Sequence, residues 1–133
     1  MNGFLDTSVI VRYLVEDQPA LTDRAARIID GSRDLLVTDI VIAEVAWVLT
    51  KVYRIPREAV VDDLVSFLQK ENIGTWEMDK GEAVQGLLLC RPSGRVSFAD
   101  AMVWAAARSA GAPLVYSFDE RFPSDGVEVR REA

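Results

Sequence analysis

Short apolar segments alternate with longer segments of helical periodicity along the chain, and this alternation restricts the possible folds more than any other feature. Each apolar segment has the length of a buried β-strand, and N-capping residues and terminal glycines mark the helices between them. The sequence predicts strands at 3–6, 35–37, 73–76, 113–117 and 127–130, and helices at 8–15, 21–29, 38–53, 56–70, 79–90 and 97–110. Strands that alternate with helices form parallel sheets covered on both faces. We therefore expect an α/β fold: a three-layer α/β/α sandwich around a central, mostly parallel sheet of four or five strands.

The chain is expected to form a single domain over residues 1–133. This length can bury one hydrophobic core, and no repeat or Pro/Gly/Ser-rich linker divides the sequence. No apolar run approaches the roughly 18 residues that span a bilayer, and the N-terminus lacks a signal-peptide pattern, so a cytoplasmic location is predicted. The single Cys90 cannot form an internal disulfide and is interpreted as a core thiol.

The absence of histidine excludes several classes of enzyme. Ser-His-Asp and Cys-His nucleophilic catalysis, paired-imidazole cleavage of RNA and histidine-bearing zinc sites all need an imidazole. Carboxylate chemistry remains, and oxygen ligands suit hard cations such as Mg²⁺, Mn²⁺ or Ca²⁺. The net charge of −6 argues against a protein that holds nucleic acid by overall positive charge, although a bound divalent ion can reverse the field of an acidic pocket.

Four acidic residues stand at positions that predict a common site. Asp6 ends the first predicted strand and Asp119 follows the fourth, while Glu44 lies in the apolar helix IVIAEVAWVL and Asp100 in SFADAMVWAAARSAG. Parallel strands place their carboxyl ends, and the starts of the following helices, at one edge of the sheet. Several carboxylates at one edge repel each other unless protons or cations compensate, so a divalent metal would complete the cluster.

Each acidic residue also has a purely structural interpretation, which the sequence leaves open. Asp6 and Asp119 could be N-caps of the turns that follow them. Asp100 could form a capping-box-like arrangement with Ser97, and Glu44 could lie on a solvent-facing edge of its helix.

Other polar and aromatic residues near these positions are ambiguous in the same way. Ser8 and Ser117 could hydrogen-bond a carboxylate or a metal-bound water, or could serve as caps. Candidate phosphate contacts, each of which could equally be a solvated charge, are Arg12, Lys51, Arg91, Arg95 and Arg121. Three aromatic residues are interpreted as core: Trp47, Phe98 and Trp104.

Four segments in order, FLDTSVIVRYL, TDIVIAEVAWVL, SFADAMVWAAA and LVYSFDERF, resemble a PIN domain. More narrowly, they resemble the VapC-type ribonuclease toxins of prokaryotic toxin–antitoxin modules. The resemblance covers essentially the whole chain. No one of the motifs is specific, whereas the ordered set of four is.

The resemblance implies a PIN-like nuclease that hydrolyses phosphodiester bonds in RNA with Mg²⁺ or Mn²⁺. It implies catalytic acids that also bind the metal, with Glu44 acting directly or through water, at Asp6, Glu44, Asp100 and Asp119. It implies supporting polar roles for Ser8 and Ser117, a VapB-like antitoxin as partner, and a homodimer. Some relatives carry a further acid at position 97, which is serine here.

Two alternatives to the toxin remain open in the sequence. A PIN nuclease of RNA processing, or a PIN domain kept for binding, would carry the same fold. A phosphoacceptor receiver domain is also an acidic α/β domain, but it would place a lysine before the proline after its last buried strand and pair two acids near the N-terminus. Here Asp6 stands alone and no lysine follows Lys80.

Overall fold

The computed structural model describes residues 3–31, 33–111 and 113–133, and these ranges contain the predicted alternation of strands and helices. The strands are β1 (Gly3–Leu5), β2 (Leu35–Val37), β3 (Ile73–Thr75), β4 (Leu114–Tyr116) and β5 (Glu128–Arg130). The helices are α1 (Thr7–Leu14), α2 (Pro19–Ile29), α3 (Asp39–Trp47), α4 (Arg57–Leu68), α5 (Lys80–Cys90) and α6 (Phe98–Ser109). None of the helices in these ranges is long and apolar enough to cross a membrane.

The five strands form one parallel sheet in the order β3-β2-β1-β4-β5. All residues of β1 and β4 are buried. Because successive side chains of a strand point to opposite faces, helices must cover the centre of the sheet on both sides. The predicted α/β fold is therefore confirmed, with five strands that are all parallel. The strand order reverses between β1 and β4, which is where ligands bind in sheets of this type.

Side-chain caps fix where three of the helices begin, as the sequence predicts. Thr38 accepts a hydrogen bond from the backbone N–H of Val41, 3.2 Å away, at the start of α3. Asp79 caps α5 and Ser97 caps α6 in the same way. The helix predicted over 38–53 changes character after Trp47 and continues as a π-helical turn, Val48–Val52.

The core predictions are confirmed for one aromatic residue and wrong for two. Trp104 is buried, whereas the side chains of Trp47 and Phe98 are 58% and 71% exposed. Because α3 is apolar around its circumference, hydrophobicity alone does not reveal which face is covered. Cys90 is half-buried at the end of α5 rather than in the core, so that prediction is also wrong.

The backbones of α5 and α6 approach each other closely at Gly86. A Cβ atom at this position would lie 2.8 Å from the carbonyl oxygen of Ala101 and 3.2 Å from Cε of Met102. A separation below 3 Å from a backbone atom cannot be tolerated without movement. Glycine is therefore required at position 86 for α5 to pack against α6. The contact is made with Ala101, the residue that follows Asp100.

Candidate metal centre

An acidic cavity of about 330 Å³ opens at the carboxyl edge of the sheet, beside the ends of β1 and β4. All four acidic residues predicted from the sequence line it: Asp6, Glu44, Asp100 and Asp119. The structure thus brings together side chains that are far apart in the chain. Their catalytic role stays a prediction.

Asp6 is held at the end of β1 with one carboxylate oxygen free of partners. Its backbone N–H donates to the carbonyl of Tyr116, 3.0 Å away, which extends the pairing of β1 with β4. Asp6 occupies the N-cap position of α1, but its side chain makes no capping hydrogen bond, so the structural interpretation as a cap is wrong for the carboxylate. Ser117 donates to Oδ2 at 2.7 Å, whereas Oδ1 is buried without a hydrogen-bond partner. A buried carboxylate oxygen without a hydrogen-bond donor is costly, so this atom fits a site that binds a cation.

Two serine hydroxyls tie the end of β1 to the segment after β4. Ser117 Oγ, fully buried, donates to Asp6 and accepts the backbone N–H of Asp119 at 3.0 Å. Ser8 Oγ lies 3.3 Å from Asp6 Oδ2 and accepts the N–H of Phe118 at 2.9 Å. Both serines therefore restrict the orientation of the Asp6 carboxylate, and Ser117 also fixes the backbone of Asp119.

Asp100 projects from the first turn of α6 towards the other acids. Ser97 Oγ accepts the N–H of Asp100 at 3.0 Å, as in a capping box, but the structure shows no return bond donated by the N–H of Ser97 to the Asp100 carboxyl group. The carboxyl group instead lies beside those of Asp6 and Asp119, which line the same cavity. Burial, followed by the negative charge of Asp6, raises the pKa of Asp100 to about 9. The purely structural interpretation of Asp100 is therefore incomplete.

Burial also raises the pKa of Asp6, and the charge of Glu44 adds to the effect. Hydrogen bonds from the Ser117 hydroxyl and the Thr7 backbone oppose this rise because they favour the ionised form. Two buried carboxyl groups in contact, Asp6 and Asp100, cannot both ionise without a compensating charge. A proton fills that role in the free protein, and a divalent cation can replace it.

The carboxylate groups that line the cavity are suitable ligands for a hard cation. In the structure, however, these side chains approach one another in pairs. Asp100 contacts Asp6 and also contacts Asp119. Across the described ranges, no three Asp, Glu or Cys side chains already converge closely enough to hold one metal ion. The unpartnered Oδ1 of Asp6 and the raised pKa of Asp100 are both what a cation-binding cluster without its cation would have.

Glu44 reaches the same cavity from α3 and is held by Thr7. Thr7 Oγ1 donates a hydrogen bond to Glu44 Oε1. Glu44 is half-buried, so it is neither an unpaired charge in the core nor a fully solvated one. Sequence reasoning did not select Thr7, because a threonine after Asp6 has the pattern of an ordinary helix-start residue.

Asp119 combines a structural role with its place in the cavity. Its Oδ1 accepts the backbone N–H of Arg121 at 2.9 Å, so the predicted use of Asp119 to cap the following turn is confirmed. Among the candidate phosphate contacts, Arg12 lines the acidic cavity, where its guanidinium group lies 3.2 Å from Asp17 and 3.4 Å from the hydroxyl of Tyr53. Three other candidates are exposed and do not line it: Lys51, Arg91 and Arg95.

Comparisons with known proteins agree with this fold. The PIN domain family model matches residues 3–124, and no curated protein matches the sequence. The chain is similar to the crystal structure of Mycobacterium tuberculosis VapC20, described as a sarcin-ricin loop cleaving toxin, with a TM-score of 0.76, 22% identity and coverage of 96% of this chain and 97% of that one. It is also similar to VapBC2 from Rickettsia felis bound to a DNA fragment from their promoter, with a TM-score of 0.70, 14% identity and 98% coverage of both chains.

Proposed function

The chain belongs to the PIN-domain family, and we propose that it is a metal-dependent endoribonuclease that hydrolyses phosphodiester bonds in RNA. The observation that carries the proposal is the contact between the buried carboxyl groups of Asp6 and Asp100 at the switch point of the sheet. Such a pair is expensive to bury and is retained at sites that bind cations. The family match favours this hypothesis over a phosphoacceptor receiver domain.

Asp6, Asp100 and Asp119 would hold a Mg²⁺ or Mn²⁺ ion, with Glu44 contributing directly or through water. When bound, such an ion neutralises a phosphate oxygen and lowers the pKa of an attacking water. Ser117 and Ser8 keep the Asp6 carboxylate in one orientation, which reduces the reorganisation needed when the ion enters.

In this proposal Glu44 would orient the attacking water and accept its proton. Thr7 donates to Oε1 of Glu44, and Glu44 lines the cavity, so its second carboxylate oxygen would serve as the base. A positioned carboxylate of this kind contributes about 10² to 10⁴ in rate as a general base. Carboxylates and a metal together replace the imidazole chemistry that a chain without histidine lacks.

RNA cleavage by the purified protein tests the proposal. Cleavage is expected with Mg²⁺ or Mn²⁺ and is expected to stop in EDTA and in the variants Asp6→Asn, Asp100→Asn and Glu44→Gln. Asp62→Asn is a matched control, because it removes one negative charge from an exposed position of α4 outside the cavity. Equal cleavage in EDTA, or full activity of Asp100→Asn with the fold intact, would refute the mechanism.

For the biological role, our proposal is that the nuclease is the toxin of a toxin–antitoxin pair. Its support is the fold-level likeness to VapC20 and VapBC2 over nearly the full length of each chain. The proposed partners are a VapB-like antitoxin that covers the cavity and a second copy of the chain in a homodimer.

Expression in a bacterial host separates a toxin from a nuclease of RNA processing. A toxin is expected to arrest growth, co-expression of the product of a small adjacent gene should restore it, and Asp100→Asn should be harmless. Growth unaffected by an active, soluble enzyme would favour the processing role. Light scattering of the pure protein tests the proposed homodimer.

A further inference from the structure

We infer that a second cavity, adjoining the acidic one, binds phosphate groups of the RNA strand next to the cleavage position. This inference rests on the proposed ribonuclease function and names the residues that hold its substrate. The cavity has a volume of about 460 Å³ and is lined by four arginines from separate segments: Arg12, Arg24, Arg121 and Arg131. We call it the basic cavity.

The basic cavity and the acidic cavity share part of their walls. Ser8, Arg12 and Asp119 line both of them. When the scissile phosphate of an RNA strand lies in the acidic cavity, a neighbouring phosphate of the same strand can therefore lie in the basic cavity. Without a bound cation, the acidic cavity repels the negatively charged RNA strand. An adjacent positive surface would attract the strand and hold it near the acids.

The charge of the basic cavity is the reverse of that of the protein as a whole. Four arginines face two acidic residues, Asp119 and Glu120, whereas the chain has a net charge of −6. Arg12 forms an ion pair with Asp17, but no described acidic side chain forms a salt bridge with the other three arginines. Their charges are thus available to an anion.

Two of these arginines are held in place by the protein itself. Arg24 Nη2 donates to the carbonyl of Arg131 at 2.9 Å, and the Arg24 guanidinium group lies 5.1 Å from the centre of the Phe118 ring. Arg131 Nη1 lies 3.4 Å from the carbonyl of Ser117, the residue that donates to Asp6. The Nε–H of Arg24 is buried without an acceptor.

Planar guanidinium groups with unused donors suit phosphate oxygens. An acidic segment of a partner protein also carries negative charge and is the rival occupant. The shared wall with the acidic cavity favours RNA, because a cleaved strand must continue past the acids on at least one side. Arg24 and Arg131 were not among the phosphate contacts predicted from the sequence, which included Arg12 and Arg121.

The test measures binding of a short single-stranded RNA in EDTA, where no cleavage occurs, by fluorescence anisotropy over a range of salt concentrations. The variant carries Arg121→Gln and Arg131→Gln, both at exposed positions, and the matched control carries Arg27→Gln and Arg57→Gln, which are exposed and outside the cavity. Affinity is expected to fall about tenfold or more, and the salt slope should decrease by roughly 0.7 for each lost phosphate contact. The control should match the natural protein, and the variant with Arg121→Lys and Arg131→Lys should keep much of the affinity.

Cleavage kinetics with Mn²⁺ separate this inference from the proposed function. The double variant is expected to raise KM at least fivefold with kcat within about twofold of the natural value, because its acids are unchanged. Unchanged affinity and salt slope would overturn the inference even if RNA is cleaved normally. Loss of binding in the variant would support it even if no cleavage occurs, in which case only the proposed nuclease function fails. Absence of RNA binding by the natural protein, or binding of poly-L-glutamate as tight as that of RNA, would also overturn it.

Discussion

Replacing Asp100 with asparagine is expected to stabilise the metal-free protein. The pKa of Asp100 rises from 3.8 to about 9 on folding, chiefly through burial and then through the charge of Asp6. Neutral pH lies about three units above the unfolded-state pKa of 3.8. Each unit corresponds to about 1.4 kcal/mol, so keeping Asp100 protonated in the folded state costs at most roughly 4 kcal/mol at neutral pH. Because Asp6 and Asp119 share the repulsion, we expect a gain on the order of 2 kcal/mol. Asparagine keeps the shape of the side chain without the charge.

The gain should depend on pH in a defined direction. A carboxyl group whose pKa is higher in the folded state binds more protons there, so its favourable contribution is complete below 3.8 and is lost as the pH rises towards about 9. The natural protein should therefore become less stable with rising pH over this window. The Asp100→Asn variant should show a shallower decline, so the difference between the two proteins should widen from about pH 5 to about pH 8.

Urea unfolding in EDTA, followed by circular dichroism, measures this difference, with Asp62→Asn as the control for removal of an exposed charge. The control is expected to change the free energy of unfolding by less than about 0.5 kcal/mol at either pH. The measurements are compared at about pH 5 and about pH 8. An Asp100→Asn variant less stable than the natural protein at about pH 8, or a stability difference that is the same at the two pH values, would refute the reasoning. Such a result would mean that the acids are separated or hydrated in solution.

Three other predictions concern neighbouring residues and the metal. Ser117→Ala removes the shortest bond to Asp6 and leaves the N–H of Asp119 unpaired, so urea unfolding should show a loss of about 1–3 kcal/mol. Thr7→Val frees Glu44 from its donor, and steady-state kinetics should show kcat reduced about tenfold with KM nearly unchanged; an unchanged kcat would exclude a positioning role. Added Mn²⁺ at about a hundred times its dissociation constant should stabilise the natural protein by roughly 2.7 kcal/mol and Asp100→Asn by much less, as measured by thermal unfolding; equal shifts would place the ion elsewhere.

The positions of Asp6 and Asp119 could be predicted because they depend on strand ends alone. A short apolar segment that ends in an acid puts that acid at the carboxyl edge of a parallel sheet, whatever the details of packing. Asp100 followed from the same logic, since the capping pattern at Ser97 located the start of α6. Strand ends and helix caps can be recognised from local sequence. Because parallel strands place these positions at one edge of the sheet, their side chains can be predicted to lie close together.

Features that depend on how helices rotate against each other could not be predicted. The bond between Thr7 and Glu44 requires a particular register of α1 against α3, and nothing in either segment fixes that register. The position of Trp47 was predicted wrongly for the same reason, since α3 carries only two charged residues, Asp39 and Glu44, and so has no broad polar face to mark solvent. The basic cavity was missed because Arg24 and Arg131 come together only through the packing of α2 beside the segment after β5.

The contact at Gly86 shows that a substitution that changes no acidic residue can disturb the acidic cluster. The carbonyl oxygen of Ala101 lies 2.8 Å from the position that a methyl group on residue 86 would take, and Asp100 is the residue that precedes Ala101 in α6. An alanine there would displace the helix that carries the acid while leaving every candidate ligand in the sequence. A survey of natural variants by their acids alone would not detect this change, although it would move Asp100 away from its present position in the cavity.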